Sequence, residues 1–213
     1  MYSLLSQILD VVFPRKVEVA KLEELAKSGR LDKLTPAFDT PKPWMKALFH
    51  YKDPKVRALV LEIKYSRNKI LLDAVATLLY EEIISLAEDY GAFAPTDWAV
   101  VAVPTGNTHA KEKGFNQAED LAMAIAKIGG NESLGILKNG LEKVRETEAQ
   151  IKVRNRHARL NNLHDSFRAS ADVAGKNIIV IDDVITTGAT MTEAKRALKE
   201  ADAKKVIVFA IAH

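Results

Sequence analysis

Residues 178 to 190 read Ile178-Ile179-Val180-Ile181-Asp182-Asp183-Val184-Ile185-Thr186-Thr187-Gly188-Ala189-Thr190, and this stretch decides the fold. It begins with four consecutive large aliphatic residues, and parallel strands that are buried on both faces have this continuous apolar pattern. Two adjacent carboxylates follow, then a loop with three threonines and one glycine, and then an amphipathic segment. The stretch therefore predicts a buried strand, a loop and the N-terminus of a helix, in that order.

The loop after the two acids suits an anion. Ligands of open α/β sheets bind beyond the carboxyl ends of the strands, and a helix N-terminus offers backbone N–H groups and the positive end of its dipole. Adjacent acids after a strand also occur in metal sites, receiver domains and simple strand caps. The threonine-rich loop favours a phosphate, and the two acids suit vicinal hydroxyls, so a ribose phosphate fits both. The loop has neither the Walker nor the G-x-G-x-x-G pattern.

The segments around this stretch predict the rest of an α/β fold. Residues 190–201 predict an amphipathic helix and residues 206–212 a second buried strand, which completes a strand–helix–strand unit of about 35 residues. Residues 98–103 predict another buried strand, followed by a helix at 117–127. We therefore predict a doubly wound, mainly parallel sheet with helices on both faces.

The first half of the chain is predicted to be mostly helical. Helices are expected at 1–13, 18–28, 53–64 and 69–89, and Asp53-Pro54 is a typical N-cap and first helical residue. Residues 44–51 predict a strand. We place a domain boundary between an N-terminal helical or hood segment, 1–43, and an α/β domain, 44–213. Short strands are expected within 134–144 and at 166–170, and a loop at 145–150.

The composition is that of an ordinary globular protein. The 213 residues are 47% hydrophobic and 28% charged, and no run approaches 18 consecutive apolar residues, so no membrane insertion is expected. The N-terminus lacks the basic start and the small-residue cleavage site of a signal peptide, and we expect a cytoplasmic location. Cysteine is absent, which excludes disulfides and thiolate metal sites, and no zinc is expected.

The net charge of +3 is too small to indicate bulk binding of nucleic acid, but the charge is unevenly distributed. The segment 152–159 is the most basic of the chain and contains no acid. Two interpretations stay open: a solvated helix face, or a surface for an anion or a nucleic acid. It lacks the interleaved aromatic residues of a single-strand stacking platform.

The run Val180 to Thr190 resembles the phosphoribosyl-pyrophosphate (PRPP) binding motif of type I phosphoribosyltransferases, which has aliphatic residues, two acids, two intervening residues and Thr-Thr-Gly-x-Thr. The resemblance implies that Asp182 and Asp183 contact the 2′- and 3′-hydroxyls of the ribose. It also implies that the loop holds the 5′-phosphate through Thr186, Thr187, Gly188, Ala189 and Thr190.

Further residues resemble the signatures of ComF-type competence proteins, a branch of that family. Lys113-Gly114-Phe115-Asn116-Gln117, after a strand that ends in Val-Pro, is similar to their Arg-Gly-Phe-Asn-Gln. Lys64-Tyr65 is similar to their Lys-Tyr pair after a short helix. Their Gln…Arg-x-x-Asn…Phe pattern is matched by a third set of residues: Gln150, Arg159, Asn162 and Phe167. The resemblance covers about residues 44–213.

The chain departs from the ComF pattern in three respects. ComF-type proteins commonly begin with a four-cysteine zinc module, whereas the segment before Trp44 is free of cysteine. Lys113 stands where the family has arginine, which keeps the charge but loses the bidentate guanidinium. The loop after Pro104 reads Thr-Gly-Asn-Thr-His instead of an arginine-rich run.

The resemblance implies displacement of pyrophosphate from C1 of PRPP by a nucleophile, with Mg²⁺ as cofactor. Mg²⁺ would be held mainly by ligand oxygens, with Asp182 and Asp183 as candidate ligands. The candidate pyrophosphate-binding residues are Pro104, Thr105, Lys111 and Lys113. The two lysines join the two acids as candidate catalytic residues, and the alternative for both lysines is a solvated loop.

Three functions are weighed. The first is a phosphoribosyltransferase with PRPP as donor and an unidentified acceptor. The second is a PRPP- or nucleotide-binding competence protein that acts in DNA uptake and binds single-stranded DNA without turnover. The third, a base-salvage enzyme outside the ComF group, is disfavoured by the Gly-Phe-Asn-Gln match. Oligomeric state is left open, a homodimer included. His109 and His213 are interpreted as surface residues, and Trp44 and Phe49 as core or hood packing.

Overall fold

The computed structural model describes residues 15–89, 98–104, 116–130, 134–144 and 165–213. The described ranges contain five α-helices and seven strands, in the order α1 (Arg15–Lys27), β1 (Met45–Phe49), α2 (Pro54–Leu61), α3 (Lys69–Asp89), β2 (Trp98–Ala102), α4 (Gln117–Ile128), β3 (Gly135–Ile136), β4 (Leu141–Lys143), β5 (Phe167–Ala169), β6 (Asn177–Val184), α5 (Ala189–Glu200) and β7 (Lys205–Ala212). A π-helical turn, Glu62–Ser66, continues α2.

Five strands form a parallel central sheet in the order β1-β7-β6-β2-β3. β6 lies in the middle, and its Val180 pairs with Val101 of β2 on one side and Val208 of β7 on the other. β4 and β5 form a separate antiparallel pair. The predicted doubly wound, mainly parallel architecture is confirmed.

The sheet is covered on both faces, which explains the continuous apolar run of β6. Ile179 and Ile181 contribute to a core shared with α1, α2, α3 and α4. Ile178 and Val180 contribute to a second core with α5 and the β4–β5 pair. All four aliphatic side chains are fully buried because successive side chains of a strand point to opposite faces.

The helix predicted at 53–64 begins as expected but changes its geometry near its end. Asp53 caps α2, since its Oδ1 accepts a hydrogen bond from the Lys55 N–H at 2.8 Å, and Pro54 is the first helical residue. After Leu61 the chain widens into the π-helical turn, and Arg67 ends it with a left-handed backbone, φ 51°. Isolated π-helical turns are frequent at functional sites. The predicted helix at 69–89 is confirmed at both ends as α3.

Several predictions fall outside the described residues: the helix at 1–13, the loop at 145–150 and the basic segment 152–159. The division of the chain at residue 43 stays a prediction.

On the N-terminal side of that division, Leu22 of α1 is buried in the same core as α3. Across the described helices, none combines the length and the apolar character that crossing a bilayer requires.

Candidate functional site

The two acids of the opening stretch lie at the carboxyl end of the central strand. β6 continues through both of them to Val184, and Asp182 pairs with Ala210 of β7. Each carboxylate folds back onto the next backbone N–H: Asp182 Oδ1 accepts from Asp183 at 2.8 Å, and Asp183 Oδ1 accepts from Val184 at 2.8 Å. Both side chains are therefore held close to the strand.

Two residues from distant parts of the chain converge on Asp183. Its Oδ2 accepts a hydrogen bond from Lys64 Nζ at 2.5 Å and another from Gln117 Nε2 at 2.7 Å. Lys64 lies in the π-helical turn and Gln117 is the first residue of α4. The side chain of Asp183 is 13% exposed and that of Lys64 is 33% exposed, so this ion pair is partly shielded from water.

The start of α4 is fixed to the sheet by its N-cap residue, Asn116. Asn116 Oδ1 accepts from the Ala118 N–H at 3.1 Å, and Asn116 Nδ2 donates to the Val103 carbonyl at 3.1 Å, just beyond β2. β2 is the neighbour of β6 in the sheet. This cap places Gln117 beside the acids at the carboxyl end of β6.

The environments of the two acids drive their pKa values apart. Burial would raise the pKa of Asp183, but the Lys64 ammonium and the hydrogen bonds from Lys64 and Gln117 outweigh it, and the pKa is lowered. Burial would likewise lower the pKa of Lys64, but the Asp183 carboxylate raises it. Burial, and then the Asp183 charge, raise the pKa of Asp182 to about 8. The two pKa values separate in this direction because adjacent carboxylates do not both ionise readily.

The loop after β6 presents a helix N-terminus at the same edge of the sheet. Gly188 caps α5 with a left-handed backbone, φ 73°, while Thr186 and Thr187 are exposed. Thr187 Oγ1 accepts from the Ala189 N–H at 3.4 Å. The first turn of a helix has N–H groups without an intrahelical acceptor, and together with the positive end of the dipole they favour an anion. The loop is therefore a suitable phosphate cradle.

The loop is held in place by hydrogen bonds to residues 212 and 213 and by close packing against Met45 of β1. The Ile185 N–H donates to the Ala212 carbonyl at 2.9 Å, and the Ile185 carbonyl accepts from His213 Nδ1 at 2.8 Å. A Cβ added to Gly188 would lie 2.8 Å from Cε of the buried Met45. His213, predicted at the surface, is half-buried and supports the loop instead.

The predicted site residues divide into two groups. Asp182, Asp183 and residues 186–190 lie on one continuous strand–loop–helix unit, and Pro104 follows the neighbouring strand β2. The other pyrophosphate candidates lie outside the described residues: Thr105, Lys111 and Lys113. So do three residues of the third ComF-like signature and one histidine: Gln150, Arg159, Asn162 and His109.

Three aromatic residues near the predicted site segments pack within the structure: Phe167, Phe49 and Trp44. Phe167 is buried in the second core, and Phe49 is buried in the first, as predicted. Trp44 is partly buried, and the Lys195 ammonium lies 4.0 Å from the centre of its ring. None of these three side chains contacts the two acids through a described hydrogen bond.

Lys64 and Gln117 are the site residues that sequence reasoning missed. Both belong to segments that resemble ComF signatures, yet neither was assigned a role. One local signal was available: Lys64 follows an otherwise apolar helix face, Val56, Leu59, Val60 and Ile63, that is buried against the sheet. A lysine that continues such a face needs a counter-charge nearby.

The fit of the site to Mg²⁺ can be judged from its donor set. Within the described residues there is no group of three or more His, Cys, Asp or Glu side chains placed to hold a metal ion. Asp183 Oδ2 already accepts two hydrogen bonds. A Mg²⁺ ion at this site would therefore have to take most of its ligands from a bound phosphate compound and from water, which is the usual preference of this ion.

Comparison with known proteins points to one family. The phosphoribosyl transferase domain model matches residues 112–213. The chain is 30% identical over 173 residues to the DNA utilization protein YhgH of Salmonella typhimurium, covering 80% of this chain and 73% of that protein. It is 29% identical over 166 residues to the competence protein ComFC of Streptococcus pneumoniae (78% of this chain, 66% of that protein) and 24% identical over 187 residues to the competence protein F of Haemophilus influenzae (86% and 77%).

Proposed function

The chain belongs to the ComF-type branch of the type I phosphoribosyltransferase family, and from this premise we propose that it is a Mg²⁺-dependent phosphoribosyltransferase with PRPP as donor. The observation that carries the proposal is the placement of two carboxylates and a phosphate cradle on one unit, from Asp182 to Thr190, at the carboxyl end of the central strand. A ligand with both a phosphate and vicinal hydroxyls satisfies both halves of this unit.

The 5′-phosphate of the donor binds at the N-terminus of α5 in this proposal. The exposed hydroxyls of Thr186 and Thr187, the N–H groups of the first helical turn and the helix dipole all favour an anion there. α5 has 12 residues, enough for a fully developed dipole. Gly188, with its left-handed backbone, is the residue where the loop joins the helix start.

The ribose lies over the two acids, at hydrogen-bonding distance from their carboxyl groups. The pyrophosphate group of PRPP extends toward the end of β2. The candidate residues for it come after β2 in the sequence: Pro104, Thr105, Lys111 and Lys113. Mg²⁺, when bound to the donor, would neutralise the pyrophosphate oxygens and help them leave. Asp182 and Asp183 are the described residues that would contact this ion or its water shell.

The reaction is a substitution at C1 of the ribose. The bond between C1 and the pyrophosphate oxygen breaks, the acceptor supplies the electron pair for the new bond to C1, and the acceptor's proton is released. The transition state carries positive charge on the ribose ring, so a nearby anion such as Asp183 stabilises it. The protein contributes mainly by positioning and electrostatics.

A second candidate function is favoured by the names of the relatives, which are a DNA utilization protein and competence proteins. In this alternative the chain binds PRPP or a nucleotide as a signal and acts on single-stranded DNA without turnover. The same site would bind the ligand, and the DNA would bind elsewhere.

The two candidates are separated by measuring pyrophosphate release from Mg²⁺–PRPP with a panel of nucleobases and amines. Release that depends on one acceptor and is lost in Asp182→Asn supports the transferase. If no acceptor gives release, and single-stranded DNA binds with a steep salt dependence that Asp182→Asn leaves unchanged, the binding protein is correct.

A further inference from the structure

The two acids do not have equivalent hydrogen-bonding partners, although the family resemblance assigns both of them to the ribose hydroxyls. Asp183 receives three hydrogen bonds: one from the Val184 N–H on Oδ1, and one each from Lys64 and Gln117 on Oδ2. Asp182 accepts one backbone hydrogen bond, from the Asp183 N–H, and the only other hydrogen-bonding partner described for its side chain is the Asp183 carboxyl group. Since a carboxylate oxygen has two lone pairs, Asp183 Oδ2 is fully used.

The two donors to Asp183 are themselves firmly held. Lys64 follows the buried Ile63 in the π-helical turn. Asn68, just after that turn, donates from Nδ2 to Glu23 Oε1 of α1 at 2.7 Å and accepts on Oδ1 from the Leu71 N–H at 3.3 Å. Gln117 is fixed by the Asn116 cap described above. Moving the Asp183 carboxylate therefore means breaking contacts with two anchored elements.

We propose that Lys64 and Gln117 are positioning residues of the donor site, which hold the Asp183 carboxylate in one orientation and leave Asp182 as the main acid for the ribose hydroxyls. This inference rests on the proposed function, because it takes PRPP as the ligand. The two acids then have different roles. Asp183 supplies a fixed negative charge under the ribose ring, and Asp182 forms the hydrogen bonds to the ribose hydroxyls. Lys64 acts through Asp183 and needs no contact with the donor.

The test is the dissociation constant of Mg²⁺–PRPP, measured by titration calorimetry on folded variants. Lys64→Met is expected to weaken binding about tenfold, because it leaves Asp183 without its counter-charge, and Lys64→Arg is expected to recover part of the loss. Gln117→Leu removes one hydrogen bond and keeps the ion pair, so a smaller loss is expected. Lys69→Met is the matched control, since Lys69 pairs with Asp73 on the exposed surface of α3 at 3.4 Å; it should change binding less than about twofold.

Double variants show whether Lys64 acts through Asp183. In an Asp183→Asn background, Lys64→Met should weaken binding no further, whereas in an Asp182→Asn background its effect should add fully. Equal binding by wild type and Lys64→Met, or additive losses with Asp183→Asn, would refute the inference while leaving the proposed function intact. If wild type itself does not bind PRPP, the proposed function is wrong and the inference falls with it.

Discussion

Replacing Gly188 with alanine tests whether the phosphate cradle is built on a backbone that only glycine tolerates. Gly188 has φ +73°, and an added Cβ would lie 2.8 Å from Met45 Cε, 2.9 Å from Met45 Sδ and 3.2 Å from Pro41 Cβ. Met45 is fully buried in the second core, so the end of its side chain has to shift among packed neighbours to admit the new Cβ. Gly188→Ala therefore combines backbone strain with overpacking.

The magnitude follows from those two contributions. A left-handed backbone costs an alanine about 1 kcal/mol relative to glycine, and overpacking a core costs about 1–3 kcal/mol. We expect Gly188→Ala to lower the free energy of unfolding by about 2–4 kcal/mol. Gly175 is the matched control: its φ is +71°, but an added Cβ meets no atom within 4 Å. Gly175→Ala should cost only about 1 kcal/mol.

Urea denaturation of the two variants measures the difference. Met45→Ala should lower the free energy of unfolding less in the Gly188→Ala background than in the wild type, since it removes the atoms that the new Cβ meets. If Gly188→Ala and Gly175→Ala lose equal stability, the close packing of β1 against the loop is not what demands glycine, and this account of the cradle is refuted.

Two further predictions concern charged groups. Because the pKa of Asp182 is raised from 3.8 to about 8, the folded protein keeps a proton that the unfolded chain releases, so the stability from this group falls as pH rises through that interval. Relative to wild type, Asp182→Asn should gain at most about 4 kcal/mol in unfolding free energy between pH 4 and pH 7, and parallel pH profiles would contradict this. Arg196 binds the buried Glu193 in a bidentate pair, with Nε–Oε2 at 2.9 Å and Nη2–Oε1 at 2.7 Å. Arg196→Ala should therefore lower the free energy of unfolding, measured by urea denaturation, by about 2–4 kcal/mol. Adding Glu193→Gln should recover part of that loss, because it removes the charge left without a partner. A loss below about 0.5 kcal/mol, as expected for the exposed Lys69–Asp73 pair, would show that Glu193 does not need this partner.

The strand–loop–helix unit and the sheet around it were predictable because their signals are local. A strand buried on both faces has to be apolar at every position, and Ile178 to Ile181 show it. The helix at 69–89 repeats apolar residues at helical spacing over its whole length, and α3 has those bounds. The Asp53 cap likewise follows from two adjacent residues.

The meeting of Lys64, Gln117 and Asp183 could not be predicted in the same way. The two donors are separated from Asp183 by 119 and 66 positions in the chain. Their proximity depends on the strand order, which places β2 and α4 beside β6, and on the π-helical turn that continues α2. No local periodicity encodes either feature. The motif thus identified the acids as a pair, and only the fold showed that their hydrogen-bonding partners differ.

The central claim, that PRPP binds from Asp182 to Thr190, is tested most directly by thermal unfolding with and without Mg²⁺–PRPP. A ligand at about a hundred times its dissociation constant adds about 2.7 kcal/mol of stability, which corresponds to a rise of about 5–10 °C in Tm for a chain of this size. We predict that rise for the wild type and a far smaller one for Asp182→Asn combined with Asp183→Asn. Equal shifts in the two proteins, or no shift in either, would contradict the claim.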